Sequence, residues 1–313
     1  MKVIQGIENI TKNFKGCALT IGNFDGVHCG HRELIKRICK RAKEKNTKSL
    51  VMTFDPHPMK ILFPDKHLHR LFDFQDQLEV LSQLGVNAVI VEKFNKELSR
   101  LSPSGFIEKF IVDPIQPEFL VIGYDFKFGA NRHGNAEYLL DIGKKRGFNV
   151  EVVPAFKIDG QIVSSTSIKE ELIQGDVSHA SKMLGRNYYL RGKVVNGEKR
   201  GSRVGFPTAN LETDAEILPL NGVYATFIEV NSQKYRAVTN IGYKPTFRNE
   251  KEGRPTIESH IINFSGDIYG KEIKVHFGEF LRQELKFSGP AALKEQIATD
   301  IIQAQKWFEN SEF

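Results

Sequence analysis

The rhythm of the chain changes partway along it. Between residues 18 and 154, short apolar runs alternate with helical patterns. The strand candidates are ALTIG (18–22), SLVMTF (49–54), AVIVE (88–92), FLVIG (119–123) and NVEVVP (149–154). Helical patterns fall at 31–45, 75–84, 104–111 and 135–146. Such alternation predicts an α/β domain: a doubly wound parallel sheet with helices on both faces. After about residue 185 the strand candidates follow one another without long helices. They are RGKVV (191–195), TANLE (208–212), VYATFIEV (223–230), KYRAVTNIG (234–242), TIESHIINF (256–264) and EIKVHFGEFL (272–281). Six strands in succession predict a small antiparallel barrel. One helix closes the chain: Gly289-Pro290 opens it, and Leu293, Ile297, Ile301, Ala304 and Phe308 form one apolar face. The 313 residues therefore divide into an α/β domain over 1–185 and a β domain over 186–313, each long enough to bury its own core.

Composition narrows the classes of function. No run of 18 apolar residues exists, so a spanning helix and a membrane partner are not expected. The first residues, MKVIQGIENITKNFKG, lack the apolar centre of a secretory leader. Three cysteines (Cys17, Cys29, Cys39) with no CxxC spacing predict reduced thiols and a cytoplasmic setting. The net charge of +6 suits a protein that binds anions. The densest basic stretch sets Lys36, Arg37, Lys40, Arg41 and Lys43 among Leu34, Ile35, Ile38 and Ala42 at helical spacing. That is a solvated helix face, and no nucleic-acid partner is expected from it.

In open parallel sheets, ligands bind beyond the carboxyl ends of the strands. GNFDGVHCGH (22–31), DPHP (55–58) and GYDFKFG (123–129) each follow a predicted strand, which places them on one rim. Gly22 and Gly26 let the backbone approach a phosphate closely. A helix beginning near Gly30-His31 turns its unpaired N–H groups toward an anion. His28 and His31 sit beside those donors, where imidazoles can bond phosphate oxygens as charge builds up. A nucleoside triphosphate is the natural guest. Zinc ligation by His28, Cys29 and His31 fits no common tetrahedral spacing, and a purely structural turn remains open. His57 stands between two prolines on a stiff loop. Asp125, Phe126 and Phe128 read as two exposed aromatics beside a carboxylate, suited to a planar ring or equally to loop packing. In VSSTSIKEEL (163–172), Ser164, Ser165 and Thr166 precede a helical run as caps do, and with Lys169 they could also clamp phosphates.

The second half opens with VVNGEKRGSRVGFPTANLE (194–212). Gly197, Gly201 and Gly205 recur with Lys199, Arg200 and Arg203 between them. No Gly-Lys-Ser/Thr ends the run, so it is not a Walker A loop, but a basic glycine loop can wrap phosphates. Pro207 fixes the chain before Thr208 and Asn210, whose side-chain oxygens face one way in a strand. Hard oxygens of this kind suit Mg²⁺ held with ATP phosphates; a turn followed by an ordinary strand is the alternative. Further on, Thr256, Glu258 and His260 share one strand face, with Ile257 and Ile261 on the other and Ile262 breaking the alternation. Glu258 there either meets solvent or accepts a proton from an attacking hydroxyl.

In this order, GNFDGVHCGH, TFDPHP, GYDFKFG with NRHG, and SSTSIK resemble the FAD synthetase module of bacterial bifunctional riboflavin kinase/FMN adenylyltransferases. That module is one of the HxGH nucleotidyltransferases. GSRVGFPTANL, GVYA, NIGYKPTF, ESHIINFSGDIYGK and FLRQELKF resemble the riboflavin kinase barrel over 186–313. The resemblance implies phosphorylation of riboflavin to FMN, then adenylylation of FMN to FAD, with ATP as co-substrate and Mg²⁺ as cofactor. It implies that His28 and His31 contact the ATP phosphates within a loop of Gly22, Asn23, Phe24, Asp25, Gly26 and Gly30. Ser164, Ser165, Thr166 and Lys169 would be the second phosphate signature. Asn23 and Asp125 would lie near flavin phosphate and metal, and His57, Phe126 and Phe128 on the flavin side. In the barrel, Thr208 and Asn210 would ligate Mg²⁺, and Glu258 would take the proton of the ribityl 5′-hydroxyl. Gly197, Lys199, Gly201 and Gly205 would close over ATP, and Arg282 would order the flavin. Lys169 stands where the family often has arginine, keeping the charge without the bidentate fork. Cys29 has no implied role. The alternative is a chain in which only one of the two domains is active. A different HxGH transferase, or a non-enzymatic flavin- or RNA-binding regulator, fits the barrel motifs less well.

Overall fold

The computed structural model describes residues 1–65, 69–197, 205–243 and 255–310. By packing, the chain forms two compact units, Met1–Ser165 and Thr166–Phe313.

The first unit is built on one parallel sheet. Its strands are β1 (Lys2–Gln5), β2 (Ala18–Ile21), β3 (Ser49–Phe54), β4 (Ala88–Glu92), β5 (Phe119–Gly123) and β6 (Asn149–Val153). They lie in the order β1-β4-β3-β2-β5-β6. Helices α1 (Cys29–Glu44), α2 (Pro58–Leu62), α3 (Phe74–Gln83), α4 (Lys96–Ser99), α5 (Pro103–Ile107) and α6 (Ala136–Arg146) connect them. Alternation along the strands decides which side chain meets which helix layer. Leu19, Ile21, Leu50, Met52, Leu120 and Ile122 bury against Phe106, Phe110 and Leu139. Ala18, Val51, Val89 and Val121 bury against Ile35 and Ile38 of α1 and Val80 and Leu81 of α3. The sheet is thus doubly wound, as the alternation predicts. Strand β1 is an addition: KVIQ buries only Ile4, too short an apolar run to read as a strand, yet it pairs in register with β4.

The order of the strands matters for function. From β2 the chain steps outward through β3 and β4, then returns to lay β5 and β6 on the other side of β2. The connections after β2 and β5 therefore diverge, leaving a crevice at the carboxyl edge. A short hairpin, β7 (Lys157–Ile158) and β8 (Gln161–Ile162), follows the sheet.

Helices α7 (Ser165–Gln174) and α8 (Val177–Leu184) lead into the second unit. The Leu220 N–H donates to the Leu172 carbonyl (3.0 Å), tying α7 to the barrel. The barrel strands are β9 (Tyr189–Val195), β10 (Ala209–Glu212), β11 (Gly222–Val230), β12 (Gln233–Gly242), β13 (Thr256–Ile261) and β14 (Glu272–Arg282). They close antiparallel in the order β10-β13-β12-β11-β14-β9. Inside, a chain of hydroxyls links three strands: Thr226 to Thr239 (2.7 Å) and Thr239 to Ser259 (2.8 Å). The last helix, α9 (Pro290–Glu309), covers one outer flank. Its Ala304 and Phe308 pack with Val223, Ala225, Phe227 and Val238. Asp300 departs from the predicted apolar face: it is 2% exposed and grips Arg282, with Nε to Oδ1 and Nη2 to Oδ2 both at 2.7 Å. Among the described residues no helix is long and apolar enough to cross a membrane. Burial pushes the Cys17 thiol up to about 12.

Candidate active sites

The first candidate site begins where β2 ends. The chain turns through Asp25–Val27 in a short 3₁₀ turn and enters α1 at Cys29. Phe24 (φ 52°), Gly26 (φ 79°) and Val27 (φ 40°) all adopt left-handed backbone. Glycine accepts this freely; the other two residues store about 1–3 kcal/mol of strain each. Full burial of the Phe24 and Val27 side chains against α1 and α3 holds them there. Polar groups hold the turn as well. Asp25 Oδ1 accepts from Leu71 N (2.9 Å), Thr53 Oγ1 donates to the Asn23 carbonyl (3.3 Å), and Ser165 Oγ donates to the Asp25 carbonyl (3.0 Å).

His28 caps α1: its Nδ1 accepts from His31 N at 3.4 Å. An accepting Nδ1 fixes the neutral ring with its proton on Nε2, which makes Nε2 a donor. The His28 and His31 rings stack with centroids 3.6 Å apart and 19° between planes. The edge of Phe24 meets His31 at 5.2 Å. Both histidines therefore sit at the first turn of a 16-residue helix, where backbone donors and the helix dipole favour an anion. Gly22, Asn23 and Gly30 line the same turn.

The other residues expected on this rim separate into those that build it and those that are available on it. His57 caps α2, its Nδ1 accepting from Met59 N (3.2 Å). Asp125 is exposed beyond β5, and Phe126 is half-buried. Phe128 corrects the expectation of two exposed aromatics: it is 7% exposed, packed on Phe106, and stacked on Phe126 with centroids 5.6 Å apart. The exposed aromatic of this loop is Tyr124. Ser164 is half-buried, Thr166 is exposed, and Lys169 is half-buried on the first turns of α7.

The second candidate site lies on the outer face of the barrel. Burial along β13 alternates without a break: Ile257, Ser259 and Ile261 point inward, and Thr256, Glu258 and His260 outward. Ile262 breaks the sequence pattern because the strand has ended at Ile261. Asn210 on β10 and Asn240 on β12 are the cross-strand partners of Glu258. Opposed side chains in such pairs have Cβ atoms about 4.5–5.5 Å apart, so both residues neighbour Glu258, while the Asn240 amide donates to Glu284 Oε1 (3.3 Å). Thr208 stands just before β10, and the His260 ring bonds the Pro207 carbonyl (2.9 Å), fixing the entry to that strand. Gly197 comes so close that a Cβ there would lie 2.1 Å from Asn210 Nδ2. Any larger residue there would need the Asn210 side chain to move, so Gly197 lies against that amide. Gly205 follows with φ 92°. Lys199 and Gly201 lie outside the described residues. Asn240 was missed by motif reading: its signal is a polar side chain on the outward phase of TNIG, visible only once β12 is paired. Arg282 is engaged by Asp300 and also donates to the Gln283 carbonyl (2.9 Å).

A hydroxyl and a carboxamide oxygen are hard donors, so Thr208 and Asn210 match a small divalent cation by chemistry.

Comparison with known proteins bears on both sites. Residues 10–167 match the FAD synthetase family, and residues 184–308 match the riboflavin kinase family. The bifunctional riboflavin kinase/FMN adenylyltransferase of Haemophilus influenzae is 36% identical, covering 99% of this chain and all of that protein. The protein of the same name from Pseudomonas fluorescens is 35% identical over 97% of each chain. That from Escherichia coli K12 is 34% identical over 98% of each. A crystal structure titled as a macrolide-efflux protein from Streptococcus pneumoniae has the same fold, with a TM-score of 0.88 and 29% identity over 98% of this chain and all of that one. Both modules match in order, and relatives that carry both match from end to end; the chain belongs to the family of bifunctional riboflavin kinase/FMN adenylyltransferases.

Proposed function

We propose that the chain makes FAD from riboflavin in two steps at two separate sites. The observation that carries this reading is that the His28–His31 pair and Glu258 lie in different compact units. In the barrel, the ribityl 5′-hydroxyl of riboflavin attacks the γ-phosphorus of ATP, giving FMN and ADP. Glu258 accepts the hydroxyl proton, with Asn210 and Asn240 as its cross-strand neighbours. Thr208 and Asn210 are the residues that would hold Mg²⁺. The cation, when bound, neutralises charge on the phosphates. The loop carrying Gly197, Lys199, Gly201 and Gly205 covers the nucleotide.

In the parallel-sheet domain, the phosphate of FMN attacks the α-phosphorus of a second ATP, giving FAD and pyrophosphate. The His28 and His31 rings and the N-terminal amides of α1 stabilise the charge that gathers on the leaving pyrophosphate. Ser164, Ser165, Thr166 and Lys169 are the second phosphate clamp. The flavin side is assigned to His57, Asp125 and Phe126, with Phe128 backing the Phe126 ring. Arg282 is assigned to the flavin side of the barrel. Functional division falls at 185/186, next to the start of the kinase match at residue 184. A cytoplasmic setting, where riboflavin and ATP meet, is part of this reading.

The test is a time course with riboflavin, ATP and Mg²⁺, with the flavins separated by chromatography. FMN should rise first and FAD later. Glu258→Gln should abolish FMN formation while supplied FMN still becomes FAD, and His31→Ala should let FMN accumulate. Each loss is expected at about 10²–10³-fold or more. If either change removes both activities from a folded chain, the two-site reading is wrong. If the native chain performs one step only, a single active domain is the better description.

A further inference from the structure

Gln77 lies on α3, outside every motif of the sequence, and its side chain is 7% exposed. Its Nε2 donates to the carbonyl of Asn23 (3.1 Å) and to Thr53 Oγ1 (3.2 Å). The Thr53 hydroxyl in turn donates to the same carbonyl. A carbonyl oxygen can only accept, so the nitrogen of the Gln77 amide must face Asn23. Two side chains therefore hold the Asn23 oxygen inward. In a trans peptide the C=O and N–H point in opposite directions. The N–H of Phe24 is thus aimed away from Gln77. No group among the described residues accepts a hydrogen bond from it. The Phe24 ring is fully buried, so this residue can offer a ligand only its backbone. The peptide also leads into left-handed backbone at Phe24 and Val27, a conformation that persists only when its surroundings over-determine it.

We propose that Gln77 is a positioning residue for adenylyl transfer: through the Asn23 carbonyl it fixes the peptide that presents Phe24 N–H to the anionic phosphates. This rests on reading the turn as the nucleotide site of the FAD-forming step. Gln77 touches no reacting atom. It acts by keeping one donor in place before charge develops, which is where a fixed dipole is most effective. Thr53 serves the same carbonyl and completes a triangle of Gln77, Thr53 and Asn23.

Two variants of the full chain test it, with riboflavin phosphorylation as the internal control. Gln77→Met keeps the volume and removes the donor. Its kcat for FAD formation should fall about ten- to a hundred-fold, as for loss of a bond to a buried polar group. Its KM for FMN and its riboflavin phosphorylation should stay put. Gln77→Glu sets a carboxylate against a carbonyl at pH 8 and should lose more than Gln77→Met. It should recover as the pH is lowered and the buried carboxyl gains a proton to donate, a limb absent from the Gln77→Met profile. Native kcat in Gln77→Met overturns the proposal. If Gln77→Met does not fold, the Gln77→Glu profile decides, and a profile without acid recovery overturns it. His31→Ala is run alongside. If it still forms FAD, the reading of the turn as the site fails; if it does not, while Gln77→Met is native, only the role of Gln77 fails.

Discussion

Arg282 is held by Asp300 through two parallel bonds, and Gln296 Nε2 adds a third contact to Asp300 (2.9 Å). A carboxylate 2% exposed cannot stay charged cheaply without such partners. Arg282→Leu should therefore destabilise the barrel unit by about 3 kcal/mol, the lower part of the range for breaking a buried pair, since Gln296 remains. The double variant Arg282→Leu/Asp300→Leu should regain most of that. Urea unfolding followed by fluorescence measures both. The chain has a single tryptophan, Trp307, and it packs on Phe227 and Phe308 of this unit. A stable Arg282→Leu chain that binds riboflavin poorly would instead make Arg282 a flavin contact alone. At this scale the sequence shows which side chains are suited to chemistry but not which are taken up by the scaffold. His57 and His28 both read as ligands, yet each has its Nδ1 occupied as a helix cap. Phe128 read as exposed because a loop aromatic after a strand gives no sign that Phe106, 22 residues earlier, will cover it.

Strand β14 contains the clearest pH-sensitive element. His276 is 9% exposed, and its Nε2 bonds Glu229 Oε2 on β11 at 2.9 Å. Tyr189 of β9 lies against its ring at 5.2 Å, and Lys274 and Lys234 add positive charge nearby. Burial first, then those lysines, push the imidazole down to about 4 from its usual 6.5, and Glu229 opposes them only in part. Between those values the unfolded chain binds a proton that the folded chain refuses. Stability is thus fully present above about pH 6.5 and declines as pH falls toward 4, by about 3 kcal/mol in all. The Trp307 midpoint should follow that decline, and His276→Gln should flatten it; a native midpoint that holds steady across the window contradicts the account. Elements with a sustained period were legible from sequence, because the pattern that buries a face is the pattern that is read. Strand β1 was not, with one buried residue in four, and neither was the buried Asp300 in the apolar stripe of α9. Its partner Arg282 is 18 residues away, on another element.

The His28–His31 pair lies in one compact unit and Glu258 in the other, so the proposed two steps should be separable in function. Glu258→Gln and His31→Ala chains should each fail to make FAD from riboflavin alone. Mixed together they should succeed, because FMN released by one can be taken up by the other. The rate should rise with protein concentration and approach the native rate when FMN is supplied in excess. Chromatography of the flavins measures it, and a mixture that makes no FAD argues that the sites must share a chain. The motifs that mark each site were legible because they are short and local. Gln77 and Asn240 were not, because their places depend on strand register and on a helix brought in from elsewhere.

The reversal of strand order at β2 and β5 has a practical consequence. The crevice there is a product of chain routing, so it survives changes to the side chains along its margins. The turn after β2 is pinned by α3, β3 and Ser165, whereas the loop after β5 begins with exposed Tyr124 and Asp125. On the proposed assignment, protein engineers seeking a new acceptor would diversify the latter and leave the former untouched, swapping the cargo while keeping the machine that activates it.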